Sequence, residues 1–231
     1  MDINTLLELD RQLLSSINGS SSLLLDSMMM TLTQGFTWIP LYITLIYIVI
    51  KNNETMAQIL LTIGSVLLCI LLADGLADGI VKPLVGRWRP SNDPIFKYTI
   101  DIVDGLRANK YGFFSAHAAN TFSLAMFFSL LVRNKLFTVF MVGWSLLNCY
   151  TRMYLGLHYP IDICVGLIWG AIVGISVYLL YHHIYKRISP NENYISTQFT
   201  STGYALGSLD VVILIMTATI LCSVFIAIMQ Y

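Results

Sequence analysis

Ionisable residues in a short stretch between two apolar runs are the first sign of chemistry in this sequence. Residues 151–162 read Thr-Arg-Met-Tyr-Leu-Gly-Leu-His-Tyr-Pro-Ile-Asp and contain Arg152, His158 and Asp162. Ionisable groups this close to hydrocarbon are unfavourable, so they mark a candidate functional site. A fixed cation, an imidazole and a carboxylate four residues after it could place a nucleophile against an anion.

Two further clusters carry groups that suit the same anion. Lys82-Pro-Leu-Val-Gly-Arg-Trp-Arg-Pro90 separates Lys82 and Arg89 by seven residues. On a helix that is about two turns, so both cations could point the same way. Phe114-Ser-Ala-His117 begins an apolar run. The free N–H groups of a helix N-terminus there would form an anion cradle, with His117 at its lip.

The three clusters together predict phosphoryl transfer. Pro160 suits the first position of a helix, which puts His158 just before that helix and Asp162 in its first turn. Asp162 could fix the tautomer of His158 and raise the nucleophilicity of its Nε2 atom. His117 could then protonate the leaving oxygen. Because cationic side chains would neutralise the phosphate, we expect a phosphohistidine mechanism with no metal or other cofactor.

The composition places these clusters in a membrane protein. Of 231 residues, 56% are hydrophobic and 11% are charged, whereas about a quarter of a soluble domain is charged. A formal net charge of zero argues against a nucleic-acid partner, which would call for a basic face. The four cysteines fall in apolar runs and are expected to be small buried hydrophobes rather than a disulfide framework.

Six apolar segments could supply membrane-spanning helices, since a bilayer core of about 30 Å needs roughly 20 apolar residues. They cover approximately residues 36–50, 56–75, 114–132, 137–154, 163–181 and 211–229. The stretch Ile3–Ile17 interleaves leucines with charged residues and is expected to lie in the membrane interface. We therefore predict an all-α integral membrane bundle of six transmembrane helices with an N-terminal interfacial amphipathic helix. It would form a single domain over residues 1–231, with a motif core at about 78–170.

Six spans would put the loop at 82–112 and the His158 loop on the same side of the membrane. The short flanks on the other side carry Lys51, Arg133, Lys135, Lys186 and Arg187. By the positive-inside rule, the candidate site then faces away from the cytoplasm. The expected location is the bacterial inner membrane, with the active site facing the periplasm.

Several patterns have more than one interpretation. Gly166, Gly170 and Gly174 recur every four residues, which indicates close helix packing or chance in a glycine-tolerant membrane helix. Asp78 and Lys82 could form a salt bridge that orients the lysine, although the repeat Ala-Asp-Gly-Leu-Ala-Asp-Gly is superficially similar to metal-binding carboxylate pairs. Arg87 could contact a lipid head group or be solvated, and the sequence does not distinguish between these two possibilities.

The spacing of the three clusters resembles that of the type 2 phosphatidic acid phosphatase (PAP2) superfamily. That pattern is Lys-x6-Arg-Pro, then Pro-Ser-Gly-His, then Ser-Arg-x5-His-x3-Asp. Residues 82–90 match the first part fully, Ser115 and His117 match the second, and residues 151–162 match the third with Thr151 in place of serine. The resemblance extends over about residues 78–170.

The resemblance implies a role for each matched residue. His158 would be the nucleophile, Asp162 its partner and His117 the general acid, with Asp78 in support of the lysine. The phosphate-binding groups would be Lys82, Arg89, Ser115, Ala116, Thr151 and Arg152.

Besides Thr151, two positions depart from the family pattern, although every charged position is kept. Ala116 replaces a glycine and would be strained if the position required a positive φ. Phe114 replaces a proline that pre-sets the turn. The resulting stretch Ser-Ala-His-Ala-Ala-Asn is similar to PAP2 proteins of the Bacteroidetes type, some of which are lipid A 4′-phosphatases.

The function expected on these grounds is hydrolysis of a lipid phosphomonoester or pyrophosphate. Candidate substrates are the lipid A 4′-phosphate, undecaprenyl pyrophosphate and phosphatidylglycerol phosphate, and the expected partners are this lipid substrate and membrane lipids. A non-catalytic protein that binds or transports an anionic lipid is an alternative of another class. A metal-dependent lipid phosphotransferase is a third.

Overall fold

The computed structural model describes residues 2–189 and 197–230, and over these residues its regular structure is helical. The α-helices are α1 (Ile3–Ile17), α2 (Leu23–Leu32), α3 (Ile39–Lys51), α4 (Met56–Leu76), α5 (Lys82–Val85), α6 (Ala116–Val132), α7 (Lys135–Tyr154), α8 (Pro160–Ile188) and α9 (Leu206–Met229). A π-helical turn, Ala77–Val81, joins α4 to α5. The all-α expectation is confirmed for the described part of the chain.

Three helical stretches are long and apolar enough to cross a membrane: Met56–Val85, Pro160–Ile188 and Leu206–Met229. Leu23–Leu32 and Gly35–Lys51 reach the same criterion only as a pair, and they are bent by 67°. Helix α6 is apolar but has 17 residues. Among the described residues, length and composition therefore support three or four of the six expected spans.

The helices that carry candidate catalytic residues begin where the sequence indicates. Ser115 is the N-cap of α6, and its side chain accepts a hydrogen bond from the backbone N–H of Ala118 at 3.3 Å. Side-chain oxygens of this kind satisfy N–H groups that have no partner within the helix. Helix α8 begins at Pro160, which lacks an N–H to satisfy. These starts place His117 and Asp162 in first turns, as expected.

The prediction that Lys82 and Arg89 lie two turns apart on one helix is wrong. Helix α5 ends at Val85 because Gly86 adopts a left-handed conformation with φ of 62°, a common helix C-terminus. Arg89 follows with an extended backbone, φ −70° and ψ 152°. The two cations come together through the turn at Gly86 rather than through helix periodicity.

A short backbone pairing fixes this extended segment. The Arg89 N–H donates to the Lys110 carbonyl at 3.2 Å, and the Gly112 N–H donates to the Arg87 carbonyl at 2.9 Å. The loop at 82–112 is therefore closed onto itself at its base. This closure holds the arginines beside the start of α6.

Helices α6 and α8 pack against each other along the glycine stripe. A Cβ atom at Gly166, Gly170 or Gly174 would lie 2.6 Å from a backbone carbonyl oxygen of α6 or of its N-cap. Real side chains do not approach a carbonyl so closely, so glycine is what lets the two backbones touch. The close-packing interpretation of the stripe is confirmed.

The prediction that all four cysteines are buried is wrong for two of them. Cys69 and Cys149 are buried, whereas Cys164 and Cys222 are exposed, and all four are free thiols. An apolar run in a membrane protein does not separate the face that meets other helices from the face that meets lipid. The sequence therefore could not tell which cysteines would be buried.

Gly170→Ala is expected to destabilise the protein, because the added methyl group would overlap the Ala119 carbonyl oxygen. Overpacking typically costs about 1–3 kcal/mol, which thermal unfolding in detergent would register as a lower midpoint. Gly64→Ala is the matched control, since a Cβ there meets nothing within 4 Å. Equal midpoints for the two variants would contradict the packing role of the stripe.

Candidate active site

The three sequence clusters meet at one end of the bundle, where α5, α6 and α8 begin or end beside the C-terminus of α7. The Ser115 N–H at the start of α6 donates to the Asp162 carbonyl in the first turn of α8 at 3.1 Å. The N–H groups of Leu157 and His158 donate to the Arg152 carbonyl at 3.0 and 3.3 Å. The first bond brings the second and third clusters against each other, and the other two form the turn that carries His158.

His158 is buried at the centre of this arrangement, with 1% of its surface exposed. Its Nε2 atom lies 2.8 Å from Arg89 Nη1. Because arginine can only donate, Nε2 accepts this hydrogen bond and the proton of the neutral ring is on Nδ1. That tautomer leaves the nucleophilic lone pair on Nε2, directed at the cation cluster.

The electrostatic surroundings keep the His158 ring neutral. Burial lowers the pKa of His158 well below its ordinary value, and the positive charges of Arg89 and Arg152 lower it further. Lys82 and His117 act in the same direction. An unprotonated imidazole at neutral pH is the form that can attack phosphorus.

Asp162 lies on the Nδ1 side of His158, as expected. Its Oδ2 atom is 3.6 Å from His158 Nδ1 and accepts the Tyr159 N–H at 3.1 Å. The first distance is too long for a hydrogen bond, and among the described residues His158 Nδ1 has no other partner. Catalytic hydrogen bonds are often long before substrate binds, so this geometry suits a carboxylate that orients the imidazole.

Arg89 is fixed by three contacts. Its Nε donates to the Tyr111 carbonyl and its Nη1 to the Leu157 carbonyl, both at 3.1 Å, in addition to the contact with His158. The residue is 5% exposed. A guanidinium held in this way presents its fork in one orientation, which suits bidentate binding of phosphate oxygens.

Arg152, in the last turn of α7, has spare hydrogen-bonding capacity. Its Nη1 donates to Thr33 Oγ1 at 3.0 Å, while its Nε is buried and has no partner within the described part of the chain. Buried donors are rarely left unpaired. An anion at this point would satisfy the free N–H.

Thr33, which positions Arg152 from the C-terminus of α2, was not found by sequence reasoning. Its hydroxyl also lies 3.1 Å from Thr151 Oγ1, which in turn lies 2.8 Å from the Asn148 carbonyl. Thr151 is fully buried and faces α2 in these contacts. The structure therefore ties Thr151 to the support of Arg152.

The N-terminus of α6 presents the Ser115–His117 cradle. Ala116 is the first residue of the helix and is not among the described residues with positive φ, so the possible strain of alanine does not arise. Ser115 is fully buried, whereas His117 is exposed on the first turn. An exposed imidazole beside a buried one suits a proton donor to a leaving group.

Two carboxylates that lie eight and four residues before Lys82, Asp74 and Asp78, each have a partner. Asp78 pairs with Lys82, as the favoured interpretation predicted. Asp74 Oδ1 accepts a hydrogen bond from Asn120 Nδ2 at 2.6 Å. In the described segments, no group of three or more histidine, cysteine or acidic side chains could hold a metal ion. The role of Asp78 is thus to hold the ammonium group of Lys82.

Arg87 and Asp10 belong to the site, although sequence reasoning left the first undecided and did not select the second. Arg87 Nη1 donates to Asp162 Oδ1 at 2.6 Å, and Arg87 Nη2 lies 2.5 Å from Asp10 Oδ2. Burial opposes the charge of Arg87, but Asp162 and Asp10 raise its pKa above the usual value. Both had a usable signal. Arg87 alternates with Arg89, and Asp10 is a charge on the apolar face of α1, three and four residues from leucines on either side, whereas the corresponding neighbours of Glu8 are polar.

The site as a whole can bind a tetrahedral anion and attack it. Lys82, Arg89 and Arg152 supply positive charge, and the N-terminus of α6 adds backbone donors. His158 presents a neutral imidazole with a carboxylate behind it, and His117 presents an accessible one. These are the parts that phosphoryl transfer through a phosphohistidine requires.

Comparisons with known proteins agree with this chemistry. The model of the PAP2 superfamily matches residues 62–186. A lipid A 4′-phosphatase of Bacteroides thetaiotaomicron is 39% identical over 188 residues, which cover 80% of this chain and 83% of that protein. A lipid A 4′-phosphatase of Porphyromonas gingivalis is 36% identical over 182 residues, or 79% of this chain and 77% of that protein.

No solved structure gives a significant match to the chain. The family model nevertheless spans more than half of the sequence and contains every clustered motif residue from Lys82 to Asp162. Both relatives exceed a third identity over most of their length. The chain therefore belongs to the PAP2 superfamily.

Proposed function

We propose that this membrane lipid phosphatase removes the 4′-phosphate of lipid A through a phosphohistidine on His158. The observation that carries the mechanism is the contact between His158 Nε2 and Arg89 Nη1 at 2.8 Å. It supports the proposal because an imidazole nitrogen that accepts from arginine lies beside a cation that suits a phosphate oxygen. The two lipid A 4′-phosphatases that the chain resembles support the choice of substrate.

In the first step, the Nε2 lone pair of His158 attacks phosphorus. The bond from phosphorus to the sugar oxygen breaks as the N–P bond forms, and His117 gives its proton to the departing oxygen. Arg89 exchanges its contact with Nε2 for one with a phosphate oxygen. Asp162 accepts the Nδ1–H and stabilises the positive charge that the ring acquires.

In the second step, a water molecule attacks phosphorus opposite the N–P bond. His117, now neutral, takes a proton from this water. The N–P bond breaks, its electron pair returns to His158 Nε2, and inorganic phosphate leaves. Lys82 and Arg152 neutralise the phosphoryl oxygens in both steps, together with the backbone donors at Ser115 and Ala116.

A lateral groove supports a lipid as substrate. It has a volume of about 390 Å³ and lies between α3, α4 and α6. Its α6 wall runs from Asn120 to Phe128, which at 1.5 Å per residue is about 5 to 16 Å along the helix from His117. Apart from Asn120 its lining is hydrophobic and aromatic. An acyl chain in this groove would hold the phosphate end at the site.

The proposed membrane arrangement has six spans in a single domain. The bent α2–α3 pair, α4 with α5, α6, α7, α8 and α9 would each cross once, with the active site on the periplasmic side of the inner membrane. Helix α1 would lie in the interface, because it exposes Leu6, Leu9 and Leu13. Lipid A phosphate groups could then reach the cation cluster without crossing the bilayer.

His158→Ala is expected to abolish phosphate release from lipid A in detergent, with a loss of about 10³-fold or more because no nucleophile remains. The measurement is released phosphate together with acid-labile labelling of the protein by 32P-lipid. His183→Ala is the matched control, since His183 is exposed and contacts Arg187. Unchanged release by His158→Ala would rule out the nucleophile assignment.

Turnover is expected to persist in EDTA, because Lys82, Arg89 and Arg152 provide the charge neutralisation that a metal would otherwise supply. Phosphate release is measured before and after chelation. Loss of activity that a divalent cation restores would favour a metal-dependent phosphotransferase. Binding of lipid A without release by the wild-type protein would favour a lipid-binding or transport protein.

The substrate assignment is tested by a panel of lipid A, undecaprenyl pyrophosphate and phosphatidylglycerol phosphate. We expect the highest kcat/KM on lipid A. A preference for either other lipid would keep the phosphatase chemistry and overturn the proposed substrate.

Leu67→Trp is expected to raise KM for lipid A severalfold, because the larger ring would occupy the groove that Leu67 lines. Activity on a soluble phenyl phosphate ester should not change. Leu71→Trp is the control, since Leu71 lies one turn further along the same helix and is equally exposed, but does not line the groove. Identical KM values for both variants would argue against an acyl chain in the groove.

A further inference from the structure

We propose that Asp10 of α1 is a positioning residue of the active site, which acts through Arg87 on Asp162 and so on His158. The inference rests on the proposed phosphohistidine mechanism and adds a residue to it. Asp10 lies outside residues 62–186, the segment that matches the family model. Its role is therefore argued from the contacts of this chain alone.

Asp10 is buried and fully engaged. It is 1% exposed, although the neighbouring Leu9 and Leu13 on α1 are about half exposed at 42% and 47%. Its Oδ2 pairs with Arg87 Nη2 at 2.5 Å, and its Oδ1 accepts the Ile161 N–H at 2.9 Å. A buried carboxylate is stable only when its charge and lone pairs are met in this way.

The Ile161 contact places Asp10 at the N-terminus of the helix that carries Asp162. Ile161 is the second residue of α8, and its N–H has no partner within the helix. Asp10 satisfies this donor from another part of the chain, 151 residues away in sequence. Helix α1 is thereby attached directly beside the catalytic carboxylate.

Arg87 carries the effect from Asp10 to Asp162. Its two terminal nitrogens contact different carboxylates, Nη1 at Asp162 and Nη2 at Asp10. The guanidinium also lies over the Tyr159 ring, 4.3 Å from its centroid. These three contacts hold the guanidinium in one plane, so removal of one allows it to move relative to Asp162.

The charges explain why the position matters. One guanidinium between two carboxylates leaves a net charge of −1 in the group. Asp162 therefore retains negative charge toward His158 Nδ1, where positive charge develops during attack on phosphorus. If Asp10 were neutral, Arg87 would neutralise Asp162 alone, and the carboxylate would stabilise the charged ring less well.

Asp10→Asn tests this role without changing the size of the side chain. The amide oxygen can still accept the Ile161 N–H, whereas the negative charge that pairs with Arg87 is removed. We expect kcat to fall about 10- to 100-fold with KM changed less than about threefold. The rate of phosphoenzyme formation in a single turnover should fall by the same factor, and Asp10→Glu should restore part of it.

Glu8→Gln is the matched control, because it removes one carboxylate from the exposed surface of the same helix and should leave kcat unchanged. A purely structural role for Asp10 predicts a lower unfolding midpoint with normal kcat per folded molecule, and that result would overturn the proposal. So would a rise in KM at constant kcat.

A double-variant cycle tests whether Asp10 acts through Arg87. In an Arg87→Gln background, Asp10→Asn should have little further effect on kcat, because the connection is already broken. Independent, multiplicative losses would overturn the proposed route.

The proposed substrate can prove wrong while the role of Asp10 remains testable. All variants are assayed on whichever panel lipid the wild-type protein hydrolyses best, so another substrate leaves the Asp10 test intact. The mechanism is judged separately by His158→Ala. A protein that hydrolyses none of the lipids has no active site for Asp10 to position, and that outcome overturns both.

Discussion

The buried carboxylate of Asp162 is the group on which the arrangement of the site depends. Its Oδ2 accepts the Tyr159 N–H, its Oδ1 accepts from Arg87, and its own carbonyl accepts the Ser115 N–H. A carboxylate removed from water must have partners of this kind. Satisfying this charge joins the arginine loop to the N-terminus of α8, and the backbone carbonyl of the same residue joins the α6 cradle to them.

The cations of the site repel one another, which opposes folding and would favour binding of an anion among them. Arg89 and Arg152 are drawn close to a neutral His158, and Arg152 keeps a buried donor unpaired among the described residues. Such groups repel one another when no anion is present, and sites that depart from local stability rules are often functional. The glycine contacts between α6 and α8 lie directly below the site and supply a rigid support for this unfavourable arrangement.

The sequence by itself determined the chemistry and much of its local geometry. Spacing within each motif is local, so it predicted that α6 would begin within Phe114–His117, that α8 would begin at Pro160, and that Asp78 would pair with Lys82. Capping residues and i,i+4 pairs encode such features within one or two helical turns. Charge in an apolar chain also predicted where an anion would bind.

Tertiary structure alone decided which distant groups complete the site. Arg87 and Asp10 are 77 residues apart, and Thr33 and Arg152 are 119 apart. Their pairing depends on which distant segment packs against α1 or α2. The amphipathic pattern puts Asp10 among the leucines of α1 and Glu8 on the polar face, but it does not specify the segment that Asp10 meets. The exposure of two cysteines was open for the same reason, whereas the end of α5 at Gly86 carries a local signal, since glycine is common just after a helix. Local patterns specify the helices, whereas the burial of a particular charge is specified only by the packing of all of them.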